Sequence, residues 1–219
     1  MADGGDLVLC ADDFGLSADI DAGILALIER GRLSATGCMV AGPSFEADAP
    51  RLRRLADRVD VGLHLTLSDL PTLGDLSSLR RPASEPADLD TVLWRALTLR
   101  LDGHEVEAEI ARQVHRFEAV MGRPPAFVDG HQHVHVFPVV RRALLDAFTN
   151  GLLWPEHTWL RDCRADPLTL LKTGVSVPKA LFVSALSFGL GRAARRRGIT
   201  TNRGFLGITA FAQIGRAHV

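Results

Sequence analysis

Two hydrophobic periods alternate along this chain, and the switches between them predict strand and helix units in turn. Leu7-Val8-Leu9-Cys10-Ala11 is a short apolar run that reads as a fully buried strand, and after a turn Ser17 stands where it can cap a helix from Ala18 to Arg30. Gly31 suits the end of that helix, and the apolar run from Ala35 to Ala41 reads as a second strand that Gly42-Pro43 breaks. A helical pattern over Arg51 to Arg58 precedes a strand-like run, Asp60 to Leu67. The segment from Ser68 to Asp88, with Pro71, Pro82 and Pro86, reads as a long loop and a candidate lid. Glu105 to Met121 has the period of an amphipathic helix closed by Gly122. Pro124-Pro125 then lead into the apolar strand Ala126-Phe127-Val128, Phe137 to Phe148 reads as another helix, and Ala180 to Leu190 as a buried one.

Strands and helices in strict alternation indicate a parallel sheet with helical cover, either an open sheet or a barrel. The 219 residues accommodate either as one large domain. In both architectures functional groups collect at the C-terminal ends of strands. Asp12-Asp13, His64 and the run Asp129-Gly130-His131-Gln132-His133-Val134-His135 all follow or end predicted strands.

Composition narrows the function classes. Apolar residues make up 47% and charged residues 23%, a globular balance. A net charge of -1 lacks the basic surface that nucleic acid requires. Cys10, Cys38 and Cys163 are odd in number and far apart, which suits a reducing cytoplasm rather than a disulfide framework or thiolate zinc site. The N-terminus lacks the basic start and apolar core of a signal peptide. Ala180 to Leu190 falls short of the roughly 20 residues that span a bilayer. The basic run Arg192 to Arg197 reads as a solvated helix end, so stable membrane insertion is not expected.

Three imidazoles and a carboxylate within seven residues are not what a core requires, because each buried ring needs partners for a donor and an acceptor. Imidazole is the commonest protein metal ligand. In an extended segment His131, His133 and His135 point to one side, so only some of them reach one ion unless the chain turns. The adjacent carboxylates of Asp12 and Asp13 repel unless a cation or shared proton relieves them. One can ligate an ion while its neighbour takes a proton from the attacking water. His64 between Leu63 and Leu65 is ambiguous alone, as is His157, while His104 and His115 read as solvated. No G-x-S-x-G elbow, P-loop or G-x-G-x-x-G fingerprint appears.

Taken together, Ala11-Asp12-Asp13-Phe14-Gly15-Leu16-Ser17, Gly62-Leu63-His64-Leu65-Thr66 and Asp129 to His135 with Pro138 resemble the YdjC-like (ChbG/HpnK) carbohydrate deacetylase family. The resemblance implies a distorted (β/α) barrel of the glycoside hydrolase/deacetylase type. It also implies a divalent metal, Mg2+ or Zn2+, and hydrolysis of N-acetyl groups from amino sugars such as chitooligosaccharides. Carried over, Asp13, His64 and His131 are the metal ligands and Asp12 the general base. His133 and His135 are the candidate acids, with His135 placed in catalysis and His133 against the substrate. Arg161 binds substrate or orients a carboxylate, and a homodimer is reasonable. Cys10 departs from the family pattern, which usually has Asn there. Family members also run longer and contain a late His-Pro segment, so residues 1–213 are expected to be one barrel domain incomplete at its C-terminus. Ile214-Gly215-Arg216-Ala217-His218-Val219 is what a common sequencing adapter encodes, and is expected to be a non-native tail. A silent carbohydrate-binding or regulatory protein and a metal-dependent phosphoesterase are the alternative expectations.

Overall fold

Neighbouring chain decides where a strand begins, not its own apolar run alone. In the computed structural model, which describes residues 7–79, 85–173 and 177–207, the first strand β1 is Cys10–Phe14, three residues later than its apolar run. Leu7 is 85% exposed and Val8 and Leu9 about half so, because pairing starts only where β2 (Ala35–Cys38) offers a partner, at Cys10 and Ala35. Ser34 seals that start, its hydroxyl accepting from the Leu9 amide at 2.7 Å. Asp12 and Asp13 therefore lie inside β1 rather than after it. Its register with β2 breaks between Ala11 and Phe14. Such a bulge re-aims side chains that a regular strand sends to opposite faces.

Strand β3 is Asp60–Leu65, β4 is Phe127–Gly130 and β5 is Trp159–Leu160. All pair in parallel in the order β1-β2-β3-β4-β5, and Leu160 makes a further parallel bridge to Thr201. A doubly wound open sheet reverses its strand order at a switch point; here each strand is added beside the last, as in a barrel. The architecture is a distorted (β/α) barrel.

Helices cover the outer face. Helix α1 (Ala18–Glu29) is capped by Ser17, whose hydroxyl accepts from the Ile20 amide, and buries Ile24, Leu25 and Ile28. The second helix, α2 (Phe45–Arg53), starts earlier than its pattern suggested. Phe45, Ala49 and Leu52 form its buried stripe, and Pro50 inside the helix disguises it as a break. The sequence pattern missed α3 (Leu89–Leu97). Helix α4 (Gly103–Met121) is capped by Asp102 and closed by left-handed Gly122, while α5 (Pro138–Thr149) follows the histidine run. Later come α6 (Pro167–Thr173), α7 (Val177–Leu186) and α8 (Leu190–Arg195). Only one side of α7 is buried, through Ala180 and Val183, while Leu181, Phe182 and the following Phe188 are exposed. Among the described residues no helix is long and apolar enough to cross a membrane.

The long loop after β3 is tethered where it is described. Gln113 of α4 accepts from the Thr66 amide at 3.0 Å and donates to the Thr66 carbonyl at 2.7 Å. One turn earlier, Glu109 accepts from the Leu73 and Gly74 amides at 2.8 and 3.0 Å. Glu109 and Gln113 are fully buried, so these bonds are shielded from water. A free lid is not what this half of the loop forms; residues 80–84, with Pro82, lie outside the described residues, as does the tail 214–219.

Candidate metal centre

Parallel register carries the site. His64 of β3 and Asp129 of β4 are Cα partners, so their side chains leave the same face of the sheet, and Asp129 Oδ1 lies 2.7 Å from His64 Nδ1. One strand further, Arg161 directly follows β5, its amide bonded to the Val128 carbonyl at 3.1 Å. Its guanidinium makes an ion pair with Asp129 Oδ2. That guanidinium also forks onto Asp12, Nη1 to Oδ2 at 2.8 Å and Nη2 to Oδ1 at 2.9 Å. A strand neighbour makes room for the histidine: a Cβ on Gly37 of β2 would sit 3.2 Å from His64 Cβ and 3.3 Å from its Nδ1.

Asp13 adopts φ +68, a left-handed conformation costly for most side chains. That strain, with the bulge, turns its carboxylate to the same place as the imidazoles. Asp13 Oδ1 lies 2.8 Å from His131 Nδ1 and 3.3 Å from His64 Nε2. One ligand atom each from Asp13, His64 and His131 falls within 4.8 Å of the others.

The spacing problem in the histidine run is solved by a turn. Gln132 and His133 both have positive φ, 52 and 63, so the period-two alternation of an extended chain ends at His131. His131 stays with Asp13, while His133 and His135 swing toward Cys163, whose Sγ lies 3.6 Å from His133 Nδ1 and 3.5 Å from His135 Nε2. His133 is half-buried and packs edge-on against Phe205. His135 is fully buried with Nε2 3.1 Å from the Arg161 carbonyl, and burial pushes its pKa down to about 3. The enclosed ring is turned onto the backbone, where it holds the Arg161 segment. Arg161, one-twentieth exposed, is engaged with two carboxylates, which suits the orienting role, one of the two expected of it.

The charges favour a divalent cation. Among the described residues, Asp12 and Asp129 share the Arg161 guanidinium, while Asp13 lies against the His64 and His131 rings, so the carboxylates favour a proton on His64. Burial opposes that proton, but the Asp129 and Asp12 charges and the bonds to Asp129 and Asp13 outweigh it and push the His64 pKa up to about 10. Burial works against the charged form of Asp13 too, yet bonds to His131 and His64 hold its carboxyl well below the usual range. Two imidazoles and one carboxylate are the donor types that Zn2+ accepts, and a set of three leaves positions open for water and substrate. Asp129 supplies the carboxylate partner on the far nitrogen that metal-ligating histidines usually have. The residues present fit a divalent metal.

A pH dependence follows. A metal held by His64 would need the ring neutral, and since the neighbouring carboxylates push its pKa up to about 10, binding would expel a proton at neutral pH. Zn2+ affinity is expected to rise about tenfold per pH unit between pH 6 and 8, by linkage to one displaced proton. Competition against a chromophoric chelator measures it, and a flat profile would remove His64 from the ligand set.

Sequence reasoning gave no role to three residues at this site. Asp129 carried the same signal as Asp12, a carboxylate inside an apolar strand. Asp69, with φ +65, lies 3.3 Å from His131 Nε2 and had no local signal, and neither did Cys163. Cys10 is better placed than its departure from the family pattern suggested. Burial and the neighbouring Asp12 charge push its pKa far up, so it remains a thiol and donates to Asp12 Oδ1 at 3.3 Å.

A family model described as YdjC-like protein matches residues 6–218. A chitooligosaccharide deacetylase of Serratia marcescens is 33% identical over 195 residues, which are 83% of this chain and 74% of that protein. One from Escherichia fergusonii is 33% identical over 135 residues, 61% of this chain and 52% of the relative, so the match spans about half of that protein. A crystal structure from Enterococcus faecalis V583, provisionally described as a cellobiose-phosphate cleavage protein, superposes with a TM-score of 0.60 at 18% identity, covering 89% of this chain and 95% of that one. At that identity it speaks for the fold alone.

Proposed function

Because the chain belongs to the YdjC-like protein family, we propose that it is a metal-dependent hydrolase removing N-acetyl groups from amino sugars or chitooligosaccharide-like substrates. The observation that carries this reading is the convergence of Asp13 from β1, His64 from β3 and His131 just after β4, with ligand atoms within 4.8 Å of one another beside a second carboxylate, Asp12. A divalent ion, Mg2+ or Zn2+, would polarise the acetamide carbonyl and acidify the attacking water when bound there. Asp13, His64 and His131 hold it. Asp12, fixed by both Arg161 nitrogens, takes the water proton and returns it to the leaving sugar nitrogen, since no enclosed ring has to carry it. His133, at the half-buried edge of the histidine run, lines the substrate side. The engagement of Arg161 with Asp12 and Asp129 favours a neutral acetamide over a phosphate ester, whose charge would demand a free cation.

Acetate release from N-acetylglucosamine oligomers tests the proposal. Turnover is expected with Mg2+ or Zn2+ present, loss with chelator, and recovery on adding the ion back. Bound metal without acetate release would favour a binding protein, and phosphate release from a sugar phosphate would favour the phosphoesterase.

A further inference from the structure

We propose that Asp69 is a positioning residue for this centre, holding the His131 ring by its far nitrogen as Asp129 holds His64; the inference rests on the metal-site reading above. The two imidazoles are braced in the same way with their nitrogens exchanged. His64 gives Nδ1 to Asp129 at 2.7 Å and turns Nε2 toward Asp13. His131 gives Nε2 to Asp69 Oδ2 at 3.3 Å and turns Nδ1 toward Asp13 at 2.8 Å. A ring whose far nitrogen donates to a carboxylate keeps its near lone pair for the ion, and its orientation is set. Asp69 belongs to neither cluster of ligand atoms gathered within 4.8 Å, so it braces a ligand and is not one.

The need for a second brace follows from the chain path. His64 lies within a strand, whereas His131 stands where β4 ends and the left-handed turn begins, with no ladder beyond it. The β3 loop supplies the support. Asp69 holds φ +65, which its short polar side chain tolerates, and its amide donates to the Ala87 carbonyl at 2.8 Å. Gln132 Nε2 donates to Asp69 Oδ2 at 2.7 Å, and the Ser68 hydroxyl donates to Gln132 Oε1 at 2.9 Å. The loop and the turn are thereby latched, and Gln113 and Glu109 fix the loop on α4. The side chain of Asp69 is 44% exposed, so its effect is one of orientation more than of buried charge.

Co2+ titration of the full chain, read by visible absorption, tests this. Asp69→Ala is expected to weaken Co2+ binding about 10- to 100-fold, the usual effect of losing such a partner. It should also shift the absorption bands, while the metal-free protein stays folded with a slightly lower melting temperature, because alanine at φ +65 is disfavoured and the Gln132 bond is lost. Asp69→Asn, whose amide oxygen still accepts from His131 and Gln132, should recover most of the affinity. Unchanged affinity and spectrum in Asp69→Ala, beside a parent chain that binds Co2+, would overturn the Asp69 role and leave the metal site standing. A parent chain that binds no Co2+ would overturn the metal reading and this inference with it.

Discussion

Asp13→Ala is expected to carry no stoichiometric divalent metal and to release no acetate. Asp13 is the group common to both imidazoles, with Oδ1 2.8 Å from His131 and 3.3 Å from His64. Removing it leaves two protein donors, fewer than the three that catalytic Zn2+ sites present, and takes away the only anionic ligand. Bound metal should fall from about one ion per chain to background. The substitution also carries a backbone cost, because alanine at φ +68 is disfavoured by about 1–2 kcal/mol. Asp13→Asn separates the two effects: asparagine visits the left-handed region readily and keeps the shape while losing the charge. A folded, metal-free Asp13→Asn chain shows that the ligand, not the fold, was lost. Elemental analysis after gel filtration, paired with melting curves, measures both. Full occupancy in either variant would take Asp13 out of the ligand set.

Asp12→Asn is expected to do the reverse, keeping the metal and losing the chemistry. The two adjacent aspartates are separated by the β1 bulge into different duties: Asp13 meets the imidazoles, and Asp12 meets Arg161. Asparagine at position 12 can still accept from Arg161 but cannot take a proton from water at neutral pH. General-base catalysis contributes typically about 10²–10⁴-fold, and kcat should fall by that factor with KM and metal content little changed. Arg161 retains Asp129 as a partner, so its charge is not stranded. A variant within tenfold of the parent would assign the base elsewhere.

The residue types of this site were legible before its geometry. An apolar strand ending in two carboxylates and a strand followed by three histidines are costly unless they serve a purpose. That reasoning is local, so it marks Asp12, Asp13 and the histidine run and leaves His64 ambiguous; His64 and His131 enter the ligand set only through the family resemblance. What places His64 in the structure is non-local: its registry with Asp129 across a strand pair formed between segments 65 residues apart. The same limit explains β1. Its apolar run marked a strand nearby, but pairing with Ala35 set the start, and the bulge put Asp13 at φ +68, which no pattern of residue types displays. The turn that separates His131 from His133 and His135 is equally invisible to a pattern of residue types, because it rests on two left-handed residues, Gln132 and His133. Asp69 reaches His131 only through the loop held by Glu109 and Gln113, buried polar residues that periodicity alone reads as part of a solvated face.

Anomalous diffraction at the zinc edge, from crystals of the Zn2+-loaded protein, tests the three-ligand centre most directly. The account predicts one dominant peak within about 2.0–2.2 Å of a carboxylate oxygen of Asp13 and a ring nitrogen of each of His64 and His131, the bond lengths Zn2+ takes with these donors. A dominant peak elsewhere, on His133, His135 and Cys163 for example, or no peak in protein that carries one Zn2+ per chain by elemental analysis, would contradict it.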